Sequence, residues 1–369
     1  MKKILFGITS LTLGGAERVL VDLANKLCDE FEITIFTIYS KGELEKQLNP
    51  KVKLKTLYPF SYEEMTKLNQ KIIVPLKILL FQKFIYNKKI KENYDIEIAF
   101  LEGPITRLFS TKNEKTKKIA WIHNDISQVF GKGIKANLKR KIDEYIYQKY
   151  EKLIFVSKDN LRKFEQRYTK LQEKEKIVIY NYIEPKIIIE KAKQMPDKQL
   201  EENKINFVTV ARLVPQKAID RVIRVHSQLL QNGLKHNFYI IGDGPERPNL
   251  EEIIQKYHVE DSFYLLGKKE NPYPYVKEAS YFCLLSKFEG YGMVLEEAKI
   301  LNKPIIITDT ASREATENYS NVIIVENSEE GIYKGLYKIL KENKVIKTEY
   351  MTEYDNTKII EQIIKILEE

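Results

Sequence analysis

The sequence predicts an α/β protein of two Rossmann-like halves, and three observations carry the prediction. Short apolar runs alternate with stretches of helical periodicity from end to end, the pattern of parallel sheets joined by crossover helices. The 369 residues are too many for one ordinary core and suit two domains of roughly 150–200 residues each. Midway, a segment with Pro185, Pro196, mixed charge and no sustained strand pattern interrupts the alternation, which then begins again. The expected layout is an N-terminal domain at 1–186, a linker at 187–204, a second domain at 205–350 and a C-terminal helix at 351–369 that packs back toward the first domain.

Ile4–Ile8 reads as the first strand. A leader peptide would need a longer apolar run, and Glu17 and Arg18 fall where its cleavage region should be, so the chain is expected to stay in the cytoplasm. Gly14 and Gly15 follow the strand, where a glycine loop lets backbone N–H groups approach phosphate; a plain tight turn would look the same. Ala16, Val19, Leu20, Leu23, Ala24 and Leu27 then mark one face of a helix. Glu32–Ile38 is the next strand, and residues 39–65 look irregular. From Lys67 to Lys91 there are seven lysines and no acidic residue, interleaved with apolar runs. At helical spacing these lysines do not collect on one face. Basic plus apolar still points to the cytoplasmic face of an anionic membrane more than to nucleic acid, with a solvated helix as the alternative.

Strands near Asp95–Phe100 and Lys118–Ile122, a lysine-rich helix at about 135–150, and strands at Leu153–Ser157 and Ile177–Asn181 complete the first half. The second half reads as strand Ile205–Ala211, helix 217–231, strand Asn237–Ile241, helix 247–257 and strand 262–266. A short helix, strand Tyr281–Leu285, a loop–helix–strand stretch at Ser286–Asp309, strand Asn321–Val325 and helices near 329–342 and 356–368 follow.

Composition narrows the class. With 43% hydrophobic and 31% charged residues the chain is globular rather than disordered. Cys28 and Cys283 lie in apolar stretches and read as reduced buried thiols, and the histidines at 123, 226, 236 and 258 are scattered, so no zinc or disulfide framework is expected. No segment reaches the ~20 apolar residues that span a bilayer. The net charge of +9 suggests an anionic partner.

The chemistry concentrates in Ser286–Asp309. Gly290 and Gly292 bracket Tyr291, and Met293, Val294, Ala298 and Leu301 recur on one helical face. The free N–H groups of that helix start would point into the loop holding Glu289, the usual geometry for an anion. Glu297 falls among apolar positions of the helix and so needs a hydrogen-bond partner. Carboxylates accept from hydroxyls and the helix end favours phosphate, which suits a sugar phosphate; an ordinary glycine-capped helix is the alternative. At the first strand–helix junction of the second half, Arg212 and Lys217 form a candidate diphosphate clamp, against the alternative of two surface cations. His123 ends a strand beside Asn124-Asp125, where a polar ring meets a cleft or simply completes the structure. Gly242-Asp243-Gly244-Pro245 reads as scaffold.

Ser286-x-x-Glu289-Gly-Tyr-Gly-x4-Glu297-Ala298 resembles the paired-glutamate motif of retaining glycosyltransferases of family 4, of the bacterial surface-glycan type, which have the GT-B fold of two Rossmann-like domains facing a central cleft. The order of Gly-Gly-Ala-Glu-Arg, His123, Arg212 with Lys217, Gly242-Asp-Gly-Pro and Leu266-Gly267 is also similar, so the resemblance covers nearly the whole chain. It implies a nucleotide-sugar donor, UDP-linked by preference, on the second half and a glycan or lipid-linked acceptor on the first. Glu289 would bind donor-sugar hydroxyls and Glu297 the ribose. Arg212 and Lys217 would hold the diphosphate, with Gly15 closing over it. Tyr291, Gly292 and Met293 would position sugar and phosphate through the backbone, Leu266 and Gly267 would line the base site, and His123 would lie beside the transferred sugar. No Asp-x-Asp occurs, so neither a metal nor another cofactor is expected.

The sequence departs from the family pattern at Ala211, Gln216, Ala218, Tyr291, Asn302 and Tyr182, without removing a charge the mechanism needs. Two other readings stay open: a sugar-nucleotide epimerase of the same fold, and a non-catalytic basic protein that binds polyanions. Nucleic acid is not expected as a partner. The lysine-rich stretch 67–91 is expected to make peripheral contact with the inner face of the cell membrane.

Overall fold

The computed structural model describes residues 1–62, 64–66, 68–111, 113, 115–124, 133–289, 291–342 and 356–369. Lys67, Asp125 and Gly290, singled out above, lie outside the described residues, as do the expected domain boundaries at 350 and 351. The chain divides into two compact units, Met1–Ile183 with Asn356–Glu369, and Glu184–Asp355.

The first unit runs β1 (Lys3–Ile8), α1 (Gly15–Leu27), β2 (Glu32–Tyr39), β3 (Lys53–Tyr58), α2 (Val74–Lys89), β4 (Ile96–Ala99), α3 (Pro104–Phe109), β5 (Lys117–Ile122), α4 (Ile134–Tyr147), β6 (Lys152–Phe155), α5 (Lys158–Arg167) and β7 (Glu175–Val178). Its parallel sheet has the order β3-β2-β1-β4-β5-β6-β7. The chain therefore winds outward twice from β1, and the loops after β1 and β4 diverge at the carboxyl ends of the strands, the usual place for a ligand. Central strands are apolar on both faces because helices cover both: Ile4, Leu5, Phe6 and Ile8 are all fully buried.

Two features of this unit differ from the sequence reading. Residues 53–58, expected to be irregular, form the edge strand β3, in register with β2 from Thr34↔Lys53 to Tyr39↔Tyr58. An edge strand is half-exposed and carries lysines, which erases the apolar run that would reveal it. Helix α2 and the turn before it are apolar on two sides rather than amphipathic. Val74, Ile78 and Tyr86 of α2 face the core, whereas Leu68, Ile72, Leu76, Leu80 and Phe84 are exposed, one every four residues. A straight α-helix would rotate such a row by about 40° per step, and the wider π turn Asn69–Ile73 turns it back over the first step.

A charge pair is buried under α2. Glu97 on β4 and Lys118 on β5 stand opposite each other in the sheet, with Lys118 Nζ 2.7 Å from Glu97 Oε2. Tyr86 donates its hydroxyl to the other carboxylate oxygen. The Lys118 ammonium lies 4.7 Å from the centre of the Tyr86 ring, and burial pulls its pKa below the usual lysine range.

The second unit runs α6 (Pro185–Lys191), β8 (Ile205–Val210), α7 (Ile219–Gln231), β9 (His236–Ile241), α8 (Arg247–Tyr257), β10 (Phe263–Gly267), α9 (Tyr273–Glu278), β11 (Tyr281–Leu284), α10 (Met293–Ile300), β12 (Ile305–Thr308), β13 (Val322–Val325) and α11 (Glu329–Glu342). Its parallel sheet has the order β10-β9-β8-β11-β12-β13, with the switch point between β8 and β11. The linker expected at 187–204 is folded into this unit: α6 packs on α9 and α10, and Ile188, Ala192 and Leu200 are buried. Pro185 opens a helix at its first position, where its missing N–H costs nothing, rather than marking a free segment. The last helix, α12 (Thr357–Glu368), belongs to the first unit, where it buries Ile363, Ile366 and Leu367 and where Glu369 pairs with Lys152 at 2.7 Å.

Two fully buried histidines form a directed chain in the second core. His236 Nδ1 lies 2.8 Å from the Leu234 carbonyl, which can only accept, so His236 Nε2 must accept the 2.8 Å bond from His226 Nδ1–H. His226 Nε2 then accepts from the Ser262 hydroxyl at 2.8 Å. Burial pushes the pKa of His226 down to about 2 and that of His236 to about 4. Between these values and the unfolded value of about 6.5 the unfolded chain binds more protons. Stability is therefore fully present above about pH 6.5 and falls on acidification by up to about 3 kcal/mol per pH unit, the His236 part levelling off near its folded pKa. Urea unfolding between pH 7 and 4 is expected to show this slope, and a His226→Gln/His236→Asn variant a shallower one.

Candidate functional site

The carboxyl ends of β8 and β11, the two strands at the switch point, carry most of the residues singled out in the second half. After β8 the chain is held by the next loop: Leu213 N donates to Asp243 O at 3.0 Å, and Gly242 N to Gly267 O at 2.8 Å. A Cβ on Gly242 would come within 2.0 Å of the Ala211 carbonyl, and one on Gly244 within 2.3 Å of that of Leu213, so only glycine allows this approach. Gly242-Asp243-Gly244 thus backs the loop bearing Arg212. Leu266 and Gly267, at the end of β10, join the same cluster through the Gly242–Gly267 bridge, Gly267 with φ +74°.

Arg212 is exposed, and its guanidinium has no ion-pair or hydrogen-bond partner among the described residues. Lys217 closes a 3-10 turn, Pro215–Lys217, and its Nζ stands 2.6 Å from Glu289 Oε1. The Glu289 side chain is 6% exposed and that of Lys217 17%, so the pair is largely shielded from water. Past Glu289, Gly292 is left-handed (φ +75°, ψ 68°) and caps α10, which opens at Met293. The Tyr291 hydroxyl donates to Glu296 Oε1 at 2.7 Å, and Glu296 pairs with Lys299 at 2.7 Å. Glu297 is half-buried and accepts from the Tyr273 hydroxyl at 3.3 Å. The carboxylate sunk into the helix face is thus Glu296, which the sequence reading passed over, while Glu297 stands at the edge with a tyrosine partner.

Gly15 and His123 belong to the first unit. Gly15 opens α1 after the extended Gly14. His123 follows β5, and its ring lies 4.6 Å from that of Phe100 and 6.1 Å from that of Trp121. The residue is half-buried, but Nε2 is cut off from solvent and unpartnered among the described residues. Burial pushes its pKa down to about 3, so the ring is neutral at physiological pH. Glu102, two residues past Phe100, was missed by the sequence reading. It accepts from His123 N at 2.5 Å, Asn124 N at 2.7 Å and Asn124 Nδ2 at 2.8 Å, and burial raises its pKa. A glutamate just past a strand and before Gly103-Pro104 was the available signal.

A shielded ammonium beside a carboxylate can stabilise an anionic leaving group while the carboxylate accepts from hydroxyls in the same place. Known proteins agree with that chemistry. Residues 190–358 match the family described as glycosyl transferases group 1. Along its full length the chain is similar to glycosyltransferases. It is 27% identical over 362 residues to the N-acetylgalactosamine-N,N'-diacetylbacillosaminyl-diphospho-undecaprenol 4-alpha-N-acetylgalactosaminyltransferase of Campylobacter jejuni, covering 94% of this chain and 92% of that one.

This chain is a glycosyltransferase.

A glycosyltransferase of Methanocaldococcus jannaschii is 26% identical over 301 residues, 79% of this chain and 71% of its own. In fold, the enzyme superposes on Anabaena HepE in complex with UDP and glucose with a TM-score of 0.75 at 17% identity, over 100% of both chains. Its two parallel Rossmann-like sheets are those of the GT-B fold. Two departures from the family motif acquire a physical reading in this glycosyltransferase. Ala218 and Asn302 stand where glycine is common and are left-handed, at φ +51° and +53°. Asn tolerates that conformation at a helix end, whereas alanine stores about 1–2 kcal/mol of strain there.

Proposed function

We propose that this glycosyltransferase retains anomeric configuration, moving a sugar from a UDP-sugar to a glycan or lipid-linked acceptor in surface-polysaccharide synthesis. The observation that carries the reading is the Lys217–Glu289 contact, with Arg212, unpaired among the described residues, in the same loop between β8 and α7. In this reading Arg212 and Lys217 bind the diphosphate and stabilise the departing nucleotide, so that no metal is needed for charge neutralisation. Glu289 accepts from hydroxyls of the donor sugar and Glu297 from the ribose. Backbone groups of Tyr291, Gly292 and Met293 position the sugar phosphate, Leu266 and Gly267 line the base, and Gly15 binds the diphosphate. His123, neutral, hydrogen-bonds the transferred sugar without adding charge. The acceptor oxygen bonds to the anomeric carbon as its bond to phosphate breaks, and the acceptor proton passes to the departing phosphate oxygen on the same face. The names of the Campylobacter relative and of the HepE complex, a diphospho-undecaprenol substrate and UDP, support the acceptor and nucleotide choices.

A thermal-shift panel of UDP-glucose, UDP-galactose, UDP-GlcNAc, UDP-GalNAc and the matching GDP- and ADP-sugars tests the donor. A UDP-sugar at 100 times its Kd is expected to stabilise by about 3 kcal/mol. Stabilisation by GDP- or ADP-sugars alone would refute the nucleotide choice, and inversion in the product spectrum the stereochemistry.

The same reading places the first unit on an anionic membrane. No helix of the described residues is long and apolar enough to cross one. The outward row Leu68, Ile72, Leu76, Leu80 and Phe84, flanked by the exposed Lys77, Lys83, Lys88 and Lys89, suits a helix lying in the headgroup layer. Each buried Leu or Phe contributes about 1.5–3 kcal/mol. Leu80→Gln/Phe84→Gln is expected to abolish flotation with phosphatidylglycerol vesicles at low salt. Equal binding to vesicles of phosphatidylcholine alone would remove the electrostatic part.

A further inference from the structure

Four consecutive carbonyls lead up to Glu289, and each is held by a side chain from another part of the second unit. Arg221 on α7, buried, directs Nη2 to the carbonyls of Leu285 at 2.7 Å and Ser286 at 3.0 Å. Thr308, at the end of β12, donates its hydroxyl to the Ser286 carbonyl at 2.7 Å. Asn327, just past β13, donates Nδ2 to the Lys287 carbonyl at 2.8 Å and accepts from Arg221 Nη2 on Oδ1 at 2.8 Å. Gln216 donates Nε2 to the Phe288 carbonyl at 2.9 Å, while its own carbonyl accepts from Lys287 N at 2.9 Å.

Leu285 and Ser286 are buried, where a carbonyl needs a partner, whereas Lys287 and Phe288 are exposed and could leave theirs to water. Here they meet fixed donors, so the backbone has one position. Arg221 makes no ion pair among the described residues, and its charge is met by carbonyl and amide dipoles. All three bonds run from Nη2, whose position at the end of a planar guanidinium is fixed, whereas an ammonium in its place would sit on a shorter, more mobile stem.

We infer that Arg221 is a positioning residue for sugar transfer: together with Asn327 it sets the Leu285–Lys287 backbone and hence where the Glu289 carboxylate stands. The inference rests on Glu289 binding the donor sugar. A carboxylate misplaced by about 1 Å costs up to about 100-fold in rate, while UDP keeps the contacts assigned to Arg212, Leu266, Gly267 and Glu297 and loses at most that of Lys217, which stands 2.6 Å from Glu289.

The test uses the full chain with Arg221→Lys, Asn327→Ala, Thr308→Val and, as reference, Glu289→Gln. Calorimetric Kd values are measured for UDP and for the tightest-binding of the four UDP-sugars, and kcat from UDP release. Arg221→Lys and Asn327→Ala are expected to raise the ratio Kd(UDP-sugar)/Kd(UDP) at least fivefold and lower kcat at least tenfold, with Kd for UDP within twofold of wild type. Thr308→Val, which leaves Arg221 on the same carbonyl, is expected to show a smaller change of the same kind. Should Arg221→Lys lack a cooperative unfolding transition, Asn327→Ala and Thr308→Val decide. A parallel loss of UDP affinity would show a merely structural role and overturn the inference. So would an unchanged ratio and kcat in folded variants when Glu289→Gln alters both. If Glu289→Gln itself changes neither, the reading of Glu289 fails and the inference falls with it.

Discussion

Lys217→Met is expected to lower sugar transfer by about 100- to 1000-fold, the usual loss when one preorganised group is removed from a developing negative charge. In the proposed reaction that charge forms on the diphosphate, and the Lys217 ammonium is one of two side-chain cations assigned to it. The same ammonium is 2.6 Å from the shielded Glu289 carboxylate, so its removal also leaves a buried charge alone, at a cost of about 3–5 kcal/mol. The two effects separate in a double variant. Lys217→Met/Glu289→Gln removes both charges and is expected to regain most of the stability while staying inactive, since both roles are lost. Initial rates of UDP release, measured beside urea unfolding, read the two quantities independently. Activity returning with stability would show that the pair is structural.

Glu97→Ala is expected to destabilise the first unit by about 3–5 kcal/mol, a large share of the 5–15 kcal/mol that holds a typical domain. The cost comes from Lys118, whose ammonium would stay between β4 and β5 with no carboxylate, and from the Tyr86 hydroxyl, which would lose its acceptor. Replacing both charges, in Glu97→Leu/Lys118→Met, is expected to recover the part of the loss due to Lys118, because an apolar pair of similar volume needs no compensation, while the Tyr86 hydroxyl stays without its carboxylate acceptor. Equilibrium unfolding in urea with near-UV circular dichroism measures both. Tyr86 sits near the end of α2, so the same contact anchors the helix that carries the outward apolar row. Glu97→Ala is therefore also expected to weaken vesicle binding, whereas the double variant, in which Tyr86 still packs, restores part of it.

The alternation of buried runs and helical faces was legible because parallel strands covered on both sides must be apolar throughout, as at Ile4–Ile8 and Ile305–Thr308. It failed where burial is partial. Strand β3 is an edge with lysines, and α5 carries a mostly polar sequence capped by Ser157; α3, although buried, is only a Pro-initiated turn and a half, too short to show a period. The linker reading failed because proline at the first position of a helix looks, in one dimension, like proline in a loop.

In the site, residue order alone dictated the glycine positions and the chemical types, since left-handed or crowded backbone at Gly242, Gly267 and Gly292 and charge at Arg212, Lys217 and Glu289 are properties of single residues. Pairings were decided only by the fold. That Lys217 meets Glu289 across seventy-two positions, that Glu296 rather than Glu297 is sunk into the helix face, and that Arg221, Thr308, Asn327 and Gln216 converge on four carbonyls depends on where β8, β11, β12 and β13 bring their ends together. Local periodicity reports which face of an element is buried. It carries no record of which distant donor meets which carbonyl, because that choice is made by the packing of elements far apart in the chain.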